Sequence, residues 1–82
     1  MALYFVEYEL RKKRDYPRLT EELESLGAVR VLNSYWCLNR ESITAEVLRD
    51  HLRKFIDSDD ALMVTEVTDW ASVGTLSNPN EL

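Results

Sequence analysis

The chain has 82 residues, 45% of them hydrophobic, enough for one domain; a chain this small hides only ~60% of its unfolded surface, so cover from a partner counts. Ten basic against 15 acidic side chains leave a net charge of −5, which excludes indiscriminate binding to nucleic acid or anionic membrane while leaving room for a local basic patch. The single cysteine, Cys37, excludes an intrachain disulfide and a cysteine-only metal cage. No signal-like stretch stands ahead of Glu7 and no uncharged run nears the ~20 residues of a membrane span, so a cytoplasmic setting without a membrane partner is expected.

Leu3 to Leu10 is rich in aromatic and branched residues without a breaker and reads as a strand, with Tyr4, Val6, Tyr8 and Leu10 on one face and Leu3, Phe5, Glu7 and Glu9 on the other. A charged loop, Arg11 to Arg14, leads to a helix start in which Asp15 or Tyr16 is the cap and Pro17 lies in the first turn. Tyr16, Leu19, Leu23 and Leu26 form its buried stripe, and Gly27 ends it in a left-handed cap. Ala28 to Leu32 and Ser34 to Asn39 flank Asn33 as a hairpin whose second arm is apolar on both faces. Thr44 caps a second helix, with Ile43 and Leu48 as a hydrophobic staple and Leu48, Leu52 and Phe55 as the stripe. Past Asp57, Asp59 and Asp60, a fourth strand runs from Ala61 to Val67, placing Leu62 and Val64 against Met63 and Val67. Residues 1–69 thus make one domain; Trp70 to Leu76 is strand-like, and 70–82 is an extra strand or tail.

Strand, helix, two strands, helix, strand is the ferredoxin-like βαββαβ pattern of an α+β fold. Right-handed crossovers put both helices on one face of a four-stranded antiparallel sheet. The other face then carries Leu3, Phe5, Tyr35, Met63 and Val67, with Trp70 following, which is too apolar for water and predicts a homodimer with these residues at the interface. The competing expectation is that a bulge shifts the register or that the tail folds over this face.

Glu7 and Glu9 lie two apart on the face expected to pair. Near a twofold axis they meet their copies, and an all-oxygen cluster suits Mg²⁺ or Mn²⁺; alternatively they are solvated, or paired to Arg30 or Arg40 on neighbouring strands. Arg11, Lys12, Lys13 and Arg14, with Arg18, place five of the ten basic residues within eight positions, either a phosphate-holding patch for nucleic acid or a solubilising loop. His51 and Cys37 read as structural, Trp36 and Trp70 as packing anchors, and no small-molecule substrate is evident.

Together the opening Leu-Tyr-Phe-Val-Glu-Tyr-Glu-Leu, the hairpin Leu-Asn-Ser-Tyr-Trp-Cys-Leu-Asn, Thr-Ala-Glu-Val-Leu-Arg-Asp and Asp-Ser-Asp-Asp-Ala-Leu-Met-Val resemble the SinR-like proteins. These are small relatives of the CRISPR-associated "Cas two" family and of VapD-type toxin nucleases. The resemblance spans about Leu3 to Val67 and implies a ferredoxin-like homodimer. In nuclease members an aspartate near the end of the first strand shares a divalent metal across the dimer, and its matching position here is Glu9. The resemblance also implies that Trp70 to Leu76 can add to a partner's sheet. Two functions follow: a non-catalytic interaction or regulatory module, or a metal-dependent nuclease with Glu9, helped by Glu7, as catalytic and metal residue and the Arg11 to Arg14 loop on the phosphates.

Overall fold

The computed structural model describes residues 2–11 and 17–82. The expected capping by Asp15 or Tyr16 lies outside them. The elements are β1 (Ala2–Glu9), α1 (Pro17–Ser25), β2 (Val29–Leu32), β3 (Tyr35–Arg40), α2 (Ala45–Leu52) extended by a 3-10 turn (Arg53–Phe55), β4 (Ala61–Val67) and a last 3-10 turn (Pro79–Glu81). The sheet order is β2-β3-β1-β4 with every neighbouring pair antiparallel, so the fold is ferredoxin-like α+β.

Local sequence explains the boundaries. Gly27 adopts φ +80°, a backbone shape that costs a glycine little. There its N–H reaches Glu24 O while the next N–H, of Ala28, reaches Leu23 O at 3.0 Å, closing α1 and launching β2 directly. At α2 the Thr44 hydroxyl accepts from Val47 N at 3.1 Å, with Ile43 packed on the core beside it. Asn33 and Ser34 make the two-residue hairpin turn. Arg30 stands opposite Trp36 and Leu32 opposite Tyr35, so Val31 is an extra residue that bulges out of the ladder.

Alternation along the strands separates two apolar layers. Tyr4, Val6 and Tyr8 of β1 and Trp36 and Leu38 of β3 point under the helices, where they meet Leu19, Leu23, Leu48 and Leu52. The polar ends of this core are satisfied: Tyr4 Oη donates to Ile43 O at 2.7 Å, and Tyr8 Oη accepts from Trp36 Nε1 at 3.2 Å. On the opposite face, Phe5, Val31 and Cys37 are buried, with Leu3, Val29, Tyr35, Val67 and Trp70 half-buried around them.

The C-terminal segment covers that second layer. Of the two expectations for residues 70–82, Trp70 to Leu76 forms no extra strand and instead folds over this face as the competing tail reading has it. β4 and β2 are opposite edges of the sheet, so the chain must cross a face to get from Val67 to Leu76, whose N–H donates to Val31 O at 2.9 Å. A crossing chain cannot lie along a strand and form a ladder; it makes one backbone tie, to Val31 of the edge strand β2. Gly74 at φ +70° turns the segment, and Asn78 caps the turn at Pro79 by accepting from Asn80 N at 2.9 Å. We call residues 70–82 the strap.

Candidate functional site

The carboxyl end of β1 gathers the acidic residues. Parity places Glu7 and Glu9 on the helix-free face as expected, about 7 Å apart along the strand. Glu7 stands opposite Tyr35 on one side and Met63 on the other, and Glu9 stands opposite Ala61. Beyond the strand end, Arg11 turns back, its Nε donating to Glu9 Oε1 at 3.0 Å and its Nη1 to Asp59 O at 3.2 Å. Asp60 uses both carboxylate oxygens structurally, accepting from Arg11 N at 2.8 Å and from Asp57 N at 2.9 Å. The acidic run before β4 therefore shapes a turn and docks the end of β1 on it.

An open hollow of about 780 Å³ lies at this end, lined by Glu7, Glu9, Arg11, Ser34 and Met63. A second, of about 500 Å³, shares Glu7 and runs past Tyr35 to Leu32 and Leu76. Burial first, and the nearby Glu7 charge second, hold the Tyr35 hydroxyl above its ordinary pKa. Glu9 and Arg11 are 72% and 58% exposed, so water screens their pairing and it contributes only about 0–1 kcal/mol.

The other expected partners of the glutamates lie elsewhere. Arg30 shares the parity of Trp36 and stacks over its ring on the helix side, 4.8 Å from the centroid, while Arg40 Nη2 donates to Leu26 O at 2.8 Å. Lys12, Lys13 and Arg14 lie outside the described residues. Arg18 donates to Lys54 O at 3.1 Å and lies 5.8 Å from the centroid of Phe55, so it ties α1 to the turn after α2. Among the interface candidates, Phe5 is buried under the strap, Leu3, Tyr35, Val67 and Trp70 are half-buried, and Met63 is 68% exposed. Burial pushes the Cys37 thiol up to about 11, helped by the Glu81 carboxylate of the strap, so the thiol is protonated at neutral pH and inert as a nucleophile.

A pair that strand and helix patterns did not reveal joins the two helices. His51 Nε2 of α2 lies 2.5 Å from Glu22 Oε2 of α1, with the Phe55 ring 5.5 Å from the imidazole. The hydrogen bond with His51 holds the Glu22 carboxyl below its ordinary value despite partial burial, with Ser25 and the Lys54 charge assisting. Because the folded value lies below the unfolded 4.5, this contribution is complete above that pH and fades as pH falls through the folded value. Thermal unfolding should therefore show wild type above Glu22→Gln at neutral pH, with the gap shrinking as pH drops below 4.5. A gap constant into acid would contradict the pairing.

Within one chain the acidic end does not fit a divalent cation: Glu9 is shared with a guanidinium, Asp60 is taken by backbone N–H groups, and among the described residues no group of three or more potential ligands converges. No described helix is long and apolar enough to cross a membrane. No protein-family model matches the chain.

Proposed function

We propose that the protein is a non-catalytic homodimer, an interaction or regulatory module of the SinR-like and "Cas two" type working in the cytoplasm, in which a second copy covers the helix-free side of the sheet. One observation carries this reading. Of six large apolar side chains exposed among the described residues, four (Leu32, Met63, Val73 and Leu76) lie on the helix-free side or on the stretch of the strap that crosses it, and a fifth, Leu82, ends the strap. Complete burial of such side chains gains ~1.5–3 kcal/mol each, so these partly exposed ones offer roughly 4–8 kcal/mol gross per subunit, doubled by twofold symmetry. Association costs ~4–15 kcal/mol, which makes reversible pairing reasonable.

The metal-dependent nuclease is the second reading, because Glu7 and Glu9 share one face beside an open hollow. It would need a partner copy to complete the ligand set for Mg²⁺ or Mn²⁺, and Glu9 would have to leave Arg11. Incubation with labelled RNA and DNA, with and without either ion, separates the two. The proposal predicts no cleavage and no metal-dependent rise in unfolding temperature. Cleavage lost in Glu9→Gln but kept in His51→Ala would establish the nuclease instead.

A further inference from the structure

We propose that the open part of the helix-free face, beside the strap, is a docking groove for an extended segment of a partner protein that carries a lysine or arginine between two apolar side chains. The inference goes beyond the homodimer reading and stands without it. Met63 and Leu32 serve in both, so the partner segment and a second copy exclude each other.

Strand register sets the side chains of the helix-free face in rows that run across the sheet. Thr65, Phe5, Cys37 and Val29 form one row, in which Phe5 and Cys37 are buried beneath the strap. Met63, Glu7, Tyr35 and Leu32 form the next row, one from each of the four strands. Its ends are bare, with Met63 68% and Leu32 49% exposed. Both hollows border on Glu7 in the middle of this row, and Gly74 and Leu76 of the strap form one wall of the second. The molecule thus covers one row with an extended segment of its own and leaves the adjacent row open.

Spacing and charge identify what fits there. Neighbouring strands lie ~4.8 Å apart, so the row spans roughly 14 Å, and an extended chain sets every second side chain on the same side about 6.7 Å apart. A segment laid across the sheet as the strap is therefore spans the row with three side chains facing the floor. The outer two meet Met63 and Leu32 and suit apolar residues; the middle one falls over Glu7 and Tyr35. Glu7 is exposed and makes no hydrogen bond or ion pair with another described residue. Burial first, and the Glu7 charge second, keep the Tyr35 hydroxyl protonated, so Glu7 carries the only charge of the row and calls for a cation. Arg11 does not supply it, because its Nε and Nη1 are held by Glu9 Oε1 and Asp59 O at 3.0 and 3.2 Å. The net charge of −5 draws a basic segment in and repels an acidic one.

A probe peptide, acetyl-Leu-Ser-Lys-Ser-Leu-amide, tests this on the full chain. Titrated into isotope-labelled protein, it should give saturable nuclear magnetic resonance shifts gathered at the amides of Met63, Glu7, Tyr35 and Leu32. Glu7→Gln, at an exposed position, should weaken binding about threefold to tenfold, the scale of one polar contact. Glu7→Lys should reject this probe and take acetyl-Leu-Ser-Glu-Ser-Leu-amide in its place. The inference is overturned by shifts that are absent or scattered, by equal binding of the glutamate probe to wild type, or by unaltered affinity in Glu7→Gln. Lysine amide alone binding as tightly as the peptide would overturn it too. Sedimentation equilibrium of wild type without peptide keeps the two readings apart. A chain that pairs but takes no peptide loses only the groove, and one that takes the peptide but never pairs loses only the homodimer.

Discussion

Met63→Glu is expected to weaken self-association about a hundredfold while leaving the fold intact. Met63 is 68% exposed on the helix-free face of the edge strand β4 and pairs in register with Glu7. Only its exposed part remains to be buried, so losing that burial from both copies costs ~2–4 kcal/mol, and each 1.4 kcal/mol is tenfold. A new carboxylate beside Glu7 adds like-charge repulsion across the twofold. Met63→Leu, which keeps size and polarity, should associate nearly as wild type. Sedimentation equilibrium reads both, and an unaltered association constant in Met63→Glu would place the pairing surface elsewhere.

Leu38→Ala should lower the unfolding free energy by about 3 kcal/mol, within the 2–5 kcal/mol spread of such truncations. Leu38 is fully buried on β3 opposite Tyr4, under both helices. For a domain of this size each kcal/mol moves the midpoint by roughly 4–8 °C, so a fall of about 12–24 °C is expected. Leu32→Ala, at a residue 49% exposed, should cost far less. The comparison belongs at one fixed protein concentration, because pairing stabilises the folded state by mass action.

Both expectations rest on strand parity, which was plain in the residues. Alternation of Tyr4, Val6 and Tyr8 with Leu3, Phe5 and Glu7 decides which side each faces once two helices follow on right-handed crossovers, and the observed layers divide in that way. Gly27 and Thr44 were equally readable, since each has a backbone duty few residues perform well. Parity also places Arg30 beside Trp36, but only once the hairpin register is known, so the residues alone leave its pairing with a glutamate open.

The strap was legible only as one of two alternatives, a tail folded over the face or an extra strand. Trp70 to Leu76 has the residue types of a strand, and composition does not say whether an extended segment runs along a sheet or across it. That choice shows only in the fold, where Leu76 N reaches Val31 O on the far edge strand. The acidic end was half legible: Glu7 and Glu9 share a face by spacing, whereas Arg11 lies past the strand end, where alternation no longer constrains direction. Glu22 and His51 meet through the packing of two helices, and neither position carries a local mark of it.

The central claim is that copies of this chain cover one another's helix-free sheet face, and wild-type mass in solution tests it most directly. From low micromolar to submillimolar concentration, the weight-average mass should rise from that of one chain towards that of two and level there. A mass fixed at one chain throughout, or one that climbs past two without a plateau, would contradict it.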